Sequence, residues 1–139
     1  MKTIEKFVKR VVMARPQETL AAVARLMDQH NVGAVVLAED HRPVGIVTDR
    51  DLALHVAARG VPLQTPAARV MSTPVQTVGR EDGVFDTSQT MMETGVRRLP
   101  VVDDNGQLVG IVTLDDLLRV LGRELSNLVG GIRSEMEVK

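Results

Sequence analysis

The chain has 139 residues, a formal net charge of −1, 44% hydrophobic and 25% charged residues, the balance of a globular protein of one ordinary domain or two very small ones. It has no Cys, which excludes disulfides, thiolate metal sites and a Cys nucleophile, and with two Phe, no Trp and no Tyr its core must be aliphatic. No block of like charge or aromatic platform calls for a nucleic acid or a membrane surface as partner; no apolar run reaches the ~20 residues of a membrane span, and the charged N-terminus lacks a signal-peptide core, so the expected location is cytoplasmic.

In chain order, the first apolar segment, Val11 to Ala14, reads as a strand. A polar turn leads to a helix with apolar residues three and four apart, at Leu20, Val23, Ala24 and Met27. Ala34 to Leu37 is a second strand, 39–42 a turn, and Val44 to Val47 a third strand that runs into a helix near Asp49. The segment 60–66, with one Gly and two Pro, interrupts the helical pattern and reads as a linker.

The same order then recurs. The strands are Val75 to Val78, Leu99 to Val102 and Val109 to Val112. The first helix carries Val84, Phe85, Met91 and Met92, with Met91-Met92 read as core, and a second helix starts near Leu114. Val44-Gly-Ile-Val-Thr-Asp-Arg-Asp-Leu52 matches Val109-Gly-Ile-Val-Thr-Leu-Asp-Asp-Leu117 at seven of nine positions, at an offset of 65, whereas upstream Val11 pairs with Val75 and Met27 with Met91 at an offset of 64. The extra residue falls between the second and third strands of the second copy, where Asn105-Gly106 also signals a hairpin.

Each copy is thus a β-α-β-β-α unit, with a parallel crossover and an antiparallel hairpin partner. The strands are continuous apolar runs, so both sheet faces should be covered, and a unit of about 55 residues buries too little by itself. The expected fold is α+β: two repeats packed sheet to sheet about a pseudo-twofold axis, divided as 1–62 and 63–124, with a C-terminal helical extension over 125–139. In that extension Leu117, Leu118, Leu121, Leu125, Leu128, Val129, Ile132 and Met136 form an amphipathic stripe that Gly130-Gly131 is expected to break or bend. The stripe packs either on its own module or on a partner; a homodimer is the expectation, because so long an apolar face is costly in water.

Thr48 with Asp51, and Thr113 with Asp116, sit where a strand becomes a helix. Two readings stand side by side. In a capping box the Thr hydroxyl accepts from an amide three residues on and the acid reaches back, which needs no ligand. The same carboxylate, at the carboxyl end of a strand, can instead accept the two hydroxyls of a ribose, with the helix amides suited to an anion. His30, His41 and His55 are scattered, the pairs Glu81-Asp82 and Asp103-Asp104 lie at a helix start and in a turn, and no Ser-His-Asp order or Gly-rich phosphate loop stands out, so no catalytic or metal-binding residue is named and no enzyme is expected.

Two tandem units that each end in Gly-Ile-Val-Thr-x-x-Asp, together with Arg97-Arg-Leu-Pro-Val-Val-Asp103, resemble the tandem CBS-domain module (Bateman module) of the small stand-alone type, over roughly residues 7 to 124. The resemblance implies a regulatory sensor that binds adenosine-containing molecules (AMP, ADP or ATP, with NAD and S-adenosylmethionine as further candidates) in clefts between the repeats, requires no cofactor, and passes its signal to a separate effector protein. A ligand-free dimerisation and docking scaffold is the alternative. The resemblance also implies that Asp51 and Asp116 hold ribose with Thr48 and Thr113 beside them. Adenine, without aromatic neighbours, is left Ile46, Ile111, Val11 and Val75 as walls. The first strand of one copy then completes the other's cleft, Lys9 and Val11 joining Asp116, and Thr73 and Val75 joining Asp51. The copies differ in charge, because Arg97-Arg98 stands where the first copy has Gly33-Ala34, and Lys9-Arg10 stands against Thr73-Pro74. Neighbours in an extended segment point oppositely, so one Arg should face the cleft; by family analogy this is Arg98, in contact with phosphate or base near Asp116. Two clefts of unequal charge are expected.

Overall fold

In the computed structural model, which describes residues 3–73 and 75–138, the last five through their backbone only, the strands form two separate three-stranded sheets. Pro74 and the side chain of Met136, both used above, lie outside the described residues. The first sheet holds β1 (Met13–Ala14), β2 (Ala34–Glu39) and β3 (Arg42–Thr48); the second holds β4 (Val78–Gly79), β5 (Arg98–Val102) and β6 (Leu108–Thr113). In each, the first strand pairs parallel with the second and the second antiparallel with the third. The helices are α1 (Leu20–His30), α2 (Asp49–Leu52, continuing as a π-helical turn through Ala58), α3 (Val84–Thr94) and α4 (Leu114–Val138).

The continuous apolar run of β2 follows from its having two covered faces. Side chains alternate across a strand, so Val35 and Leu37 join the α1 residues Leu20, Val23 and Met27 in one core, while Val36 and Ala38 pack with Leu108 of β6, bordered by Val11, Ile46 and Ile111, in a cluster between the two sheets. A third cluster collects Leu99 and Val101 of β5, Val84 and Met91 of α3, and Leu117 of α4. The repeats are therefore packed sheet to sheet, with helices on the outer faces.

Core membership does not follow chain order. Ile4, in a short 3-10 turn ahead of β1, is fully buried in the second repeat's core and donates its amide to the Asp82 carbonyl. Its counterparts ahead of β4, Ala67 and Val70, are buried in the first repeat's core. Each lead segment then runs along the third strand of the other repeat: Lys9 exchanges two backbone hydrogen bonds with Ile111, and the Ser72 amide donates to the Ile46 carbonyl.

The duplicated glycine of Val-Gly-Ile-Val-Thr makes this crossing possible. A Cβ on Gly110 would overlap the Val8 side chain and lie 2.7 Å from the Lys9 carbonyl oxygen, whereas the three atoms nearest to one on Gly45 all belong to the Met71 side chain. Gly110→Ala is therefore expected to cost about 1–3 kcal/mol in urea denaturation, and Gly45→Ala less, because a Met can swing aside. Equal costs would show that the Lys9 main chain is not the obstacle.

Three expectations need correction, and the expected second hairpin gains a detail of its turn. The first strands hydrogen-bond over two residues each, and β4 starts only at Val78, leaving Val75 outside the ladder. Met91 is 2% exposed but Met92 is 81% exposed, and Phe85 is exposed too; helix neighbours lie about 100° apart, so the face set by Val84, Thr87 and Met91 excludes both. The tight two-residue turn belongs to the first hairpin, where Asp40 and His41 both have positive φ, the signature of a type I′ turn. At Asn105-Gly106 the hairpin is instead a longer loop in which the Asp103 carboxylate accepts the amides of Asn105 and Gln107, with positive φ at Gly106. Finally, α4 runs unbroken through Gly130-Gly131, and from Leu125 to Ile132 its apolar stripe is not packed on its own module.

Candidate functional site

Both Thr-x-x-Asp pairs fall where the sequence puts them, at the β3–α2 and β6–α4 junctions. Each helix start is tied to the lead of its own second strand, Asp49 donating its amide to the Gly33 carbonyl and Leu114 to the Arg97 carbonyl. The side chains then diverge. In the first repeat the capping box is complete: the Thr48 hydroxyl accepts from the Asp51 amide at 3.2 Å, and an Asp51 carboxylate oxygen accepts from the Thr48 amide at 2.9 Å. In the second repeat only half of it forms. The Thr113 hydroxyl accepts from the Asp116 amide at 3.2 Å, but donates its own proton to Asp116 Oδ2 at 2.8 Å. The other oxygen, Oδ1, lies 2.9 Å from Lys9 Nζ and 3.8 Å from Arg119 Nη1.

Lys9 reaches Asp116 because its backbone is laid against Ile111, five residues upstream on the strand that delivers Asp116. The register in the other repeat is different. Ile46, the counterpart of Ile111, is bridged to Ser72, so Ser72 holds the position of Lys9 and Thr73 that of Arg10. A slip of one residue in an extended segment exchanges the side chains between its two faces.

Asp116 is a buried charged residue, 6% exposed. Burial pushes its carboxyl up, but the hydrogen bonds from Lys9 and Thr113 and the charges of Lys9 and Arg119 outweigh this and hold it below the usual carboxylate range. With the folded value below the unfolded one, its stabilising contribution is complete above about pH 4 and is lost as pH falls through the folded value. Urea midpoints taken from about pH 6 down to about pH 3 should drop more steeply for the wild type than for Asp116→Asn; parallel curves would refute that role.

Asp116 opens into a cleft of about 800 Å³ between the repeats. Of the residues singled out in the sequence, it brings together Lys9, Val11, Arg98, Ile111, Thr113 and Asp116, and adds Thr48 from the first repeat. Asp51, Ile46, Thr73 and Val75 do not line it. Both Arg97 and Arg98 do, against the expectation of one. With Lys9, Arg10, Arg50, Arg97, Arg98 and Arg119 against Asp115 and Asp116, the lining is strongly cationic and attracts anions. Sequence reasoning missed Arg50 and Arg119, although Arg50 lies inside the first Thr-x-x-Asp motif and Arg119 one helical turn after Asp116. A Cβ on Gly33 would lie 3.0 Å from Asp49 Oδ2 and 3.1 Å from Arg98 Nη2, so the glycine leaves room for the Asp49 carboxylate and the second repeat's arginine together.

The cavities that include Arg15, Glu18 and Asp40 lie at the hairpin end, away from these residues. Among the described residues, no group of three or more His, Cys, Asp or Glu is placed to hold a metal ion, and no helix is long and apolar enough to cross a membrane.

A family model of the CBS domain matches residues 4–58 and 67–123. The chain is a tandem CBS-domain protein. This CBS pair is 43% identical over 112 residues to MK0525 of Methanopyrus kandleri, a match covering 79% of the chain and 57% of that protein, little more than half its length. It is 44% identical over 108 residues to YhcV, a CBS domain-containing protein of Bacillus subtilis, covering 78% of the chain and 76% of YhcV. Among solved structures, the CBS domain protein PAE2072 of Pyrobaculum aerophilum, complexed with AMP, superposes with a TM-score of 0.78 at 29% identity, over 90% of the chain and 98% of its own.

Proposed function

We propose that this CBS pair is a regulatory module that binds an adenosine-containing nucleotide, AMP, ADP or ATP, in the cleft beside Asp116 and signals its occupancy to a separate effector protein. The observation that carries the reading is a buried carboxylate, paired with a Thr hydroxyl, inside a cleft otherwise rich in cations. Asp116 and Thr113 suit a ribose diol, Arg97 and Arg98 suit phosphate, and Ile111 and Val11 offer an apolar wall for the base. The AMP complex of PAE2072 supports the ligand class. Thermal shift with AMP, ADP, ATP, NAD and S-adenosylmethionine tests it: a stabilisation by at least one nucleotide is expected in the wild type and lost in Asp116→Asn. No shift with any of them at millimolar concentration favours the ligand-free scaffold instead.

We further propose that the module is a homodimer through α4. Leu118, Leu121, Leu125, Leu128 and Ile132 recur at alternating steps of three and four residues, the heptad spacing of a two-stranded coil. Leu118, Leu125, Leu128 and Ile132 are each at least half exposed. Gly122, Gly130 and Gly131 each weaken the helix by about 1 kcal/mol relative to Ala, so α4 needs packing to persist at this length. A second α4 carries the same stripe and is self-complementary.

A further inference from the structure

Both oxygens of the Asp116 carboxylate have partners within the chain. Oδ2 holds the Thr113 hydroxyl and Oδ1 holds Lys9 Nζ at 2.9 Å. The two ends of that ion pair are unequal. The Asp116 side chain is 8% exposed and cannot move far, because its own amide caps onto Thr113, whereas the Lys9 side chain is 58% exposed on a flexible stem. A ribose diol that engages both oxygens of Asp116 competes with Lys9 for Oδ1 and, once in place, displaces it. The ammonium then leaves its counter-ion, and the carboxylate exchanges its nearest cation for neutral hydroxyl donors, with Arg119 remaining at 3.8 Å.

That exchange has a charge requirement. Removing one partner of a buried ion pair leaves the other uncompensated, which is the expensive step. An uncharged ligand leaves the displaced ammonium to water and the carboxylate with only Arg119, 3.8 Å from Oδ1, as a cation. A ligand carrying phosphate offers the ammonium a new anion in the same cleft, beside Arg98. A ligand carrying a positive charge adds repulsion from Lys9 and from the arginines that line the cleft. The other repeat has no such device, since Ser72 holds the register position of Lys9 and Asp51 is closed into its capping box.

We propose that Lys9 is the specificity-determining residue of this cleft: an internal counter-ion that the ribose displaces from Asp116 and that only a phosphate-bearing ligand recaptures, so the site accepts phosphorylated adenosine compounds and discriminates against neutral and sulfonium ones. This rests on the nucleotide reading above and deepens it.

Isothermal titration of the full chain with AMP, adenosine and S-adenosylmethionine tests the proposal, in the wild type, in Lys9→Met, which keeps most of the stem, and in Lys6→Met, which removes the same charge at an exposed site outside the cleft. The wild type is expected to prefer AMP to both other ligands. In Lys9→Met the ratio of AMP to adenosine affinity should fall at least tenfold, with adenosine binding as well as or better than in the wild type, while Lys6→Met keeps the wild-type ratio. AMP binding with an unchanged ratio in Lys9→Met overturns the role of Lys9 and leaves the nucleotide reading standing. So does an equal loss for all three ligands, which marks Lys9 as a structural residue. Absence of binding by any of the three to the wild type overturns the nucleotide reading and this inference together.

Discussion

Asp116→Ala is expected to abolish nucleotide-induced stabilisation and Asp51→Ala to leave it in place, each at a cost of about 1 kcal/mol to the unliganded protein. The reasoning starts from what each carboxylate holds. Asp51 accepts the Thr48 amide in a closed box and lies off the cleft, so its removal costs a cap, about 1 kcal/mol, and leaves binding in place. Asp116 holds one hydroxyl and one ammonium. Its removal frees the Thr113 hydroxyl and releases Lys9 into solvent, where an exposed ammonium is at ease, so the apo protein also loses about 1 kcal/mol. The liganded protein loses much more. A nucleotide present at a hundred times its dissociation constant adds about 2.7 kcal/mol to the wild type, or several degrees in the melting temperature of a domain this size. That increment disappears if the ribose has no carboxylate to bind. Thermal melts of the two variants, with and without nucleotide, separate the effects. A nucleotide shift that survives Asp116→Ala, or vanishes in Asp51→Ala, places the ribose elsewhere.

The second large effect concerns α4. Leu125→Glu combined with Leu128→Glu should convert a dimer to a monomer in sedimentation equilibrium or light scattering. Each substitution puts a carboxylate where two copies of the stripe meet, and burying an unpaired charge costs several kcal/mol. Because both leucines are about two-thirds exposed in the single chain, the repeats themselves should keep their fold. Helicity by circular dichroism should fall with the dimer, since a glycine-containing helix that projects from its module has little else to hold it. A wild type that is monomeric at all concentrations, or a dimer untouched by both charges, excludes α4 as the interface. Nucleotide affinity gives a useful contrast: the Asp116 cleft lies before Leu121, so the double variant should still respond to ligand.

The way the two Asp residues part company shows how far local pattern reaches. The Thr-x-x-Asp spacing placed both pairs at strand-to-helix junctions, because four residues of one junction contain all the information a cap requires. Which carboxylate turns back to its own backbone and which faces a cleft is decided by whether a cation arrives from elsewhere. Lys9 comes from the opposite end of the chain, delivered by a backbone bridge to Ile111. Nothing within a window of either residue encodes that meeting. The same holds for Gly33, which looks like a gap in the duplication and whose missing Cβ leaves space shared by Asp49 and by Arg98 of the other repeat.

Met92 and Val75 mark a second kind of limit. The apolar pattern puts Met92 in a core, and the match to Val11 puts Val75 in a strand and, with the resemblance, in a wall. Helix phase removed Met92, since α3 can present only one face to its sheet and Val84, Thr87 and Met91 already occupy it. Pairing register removed Val75 from the sheet, since β4 first meets β5 at Val78.

By itself, the sequence determined the duplication, the β-α-β-β-α order within each copy, the hairpin where the repeat offset changes, and the strand runs apolar on both faces that require a sheet-to-sheet pair. These rest on periodicity and on matches within one chain, which are local or self-referential. The tertiary structure alone decided that each lead segment crosses to the other repeat, that a one-residue difference in register puts Lys9 on Asp116 but Ser72 at the matching place by Ile46, and that the cleft draws on Thr48 as well as Thr113. The physical reason is that these contacts join residues far apart in the chain, and side-chain direction along an extended segment reverses with every residue. Two repeats that share the Thr-x-x-Asp motif can therefore present unequal sites.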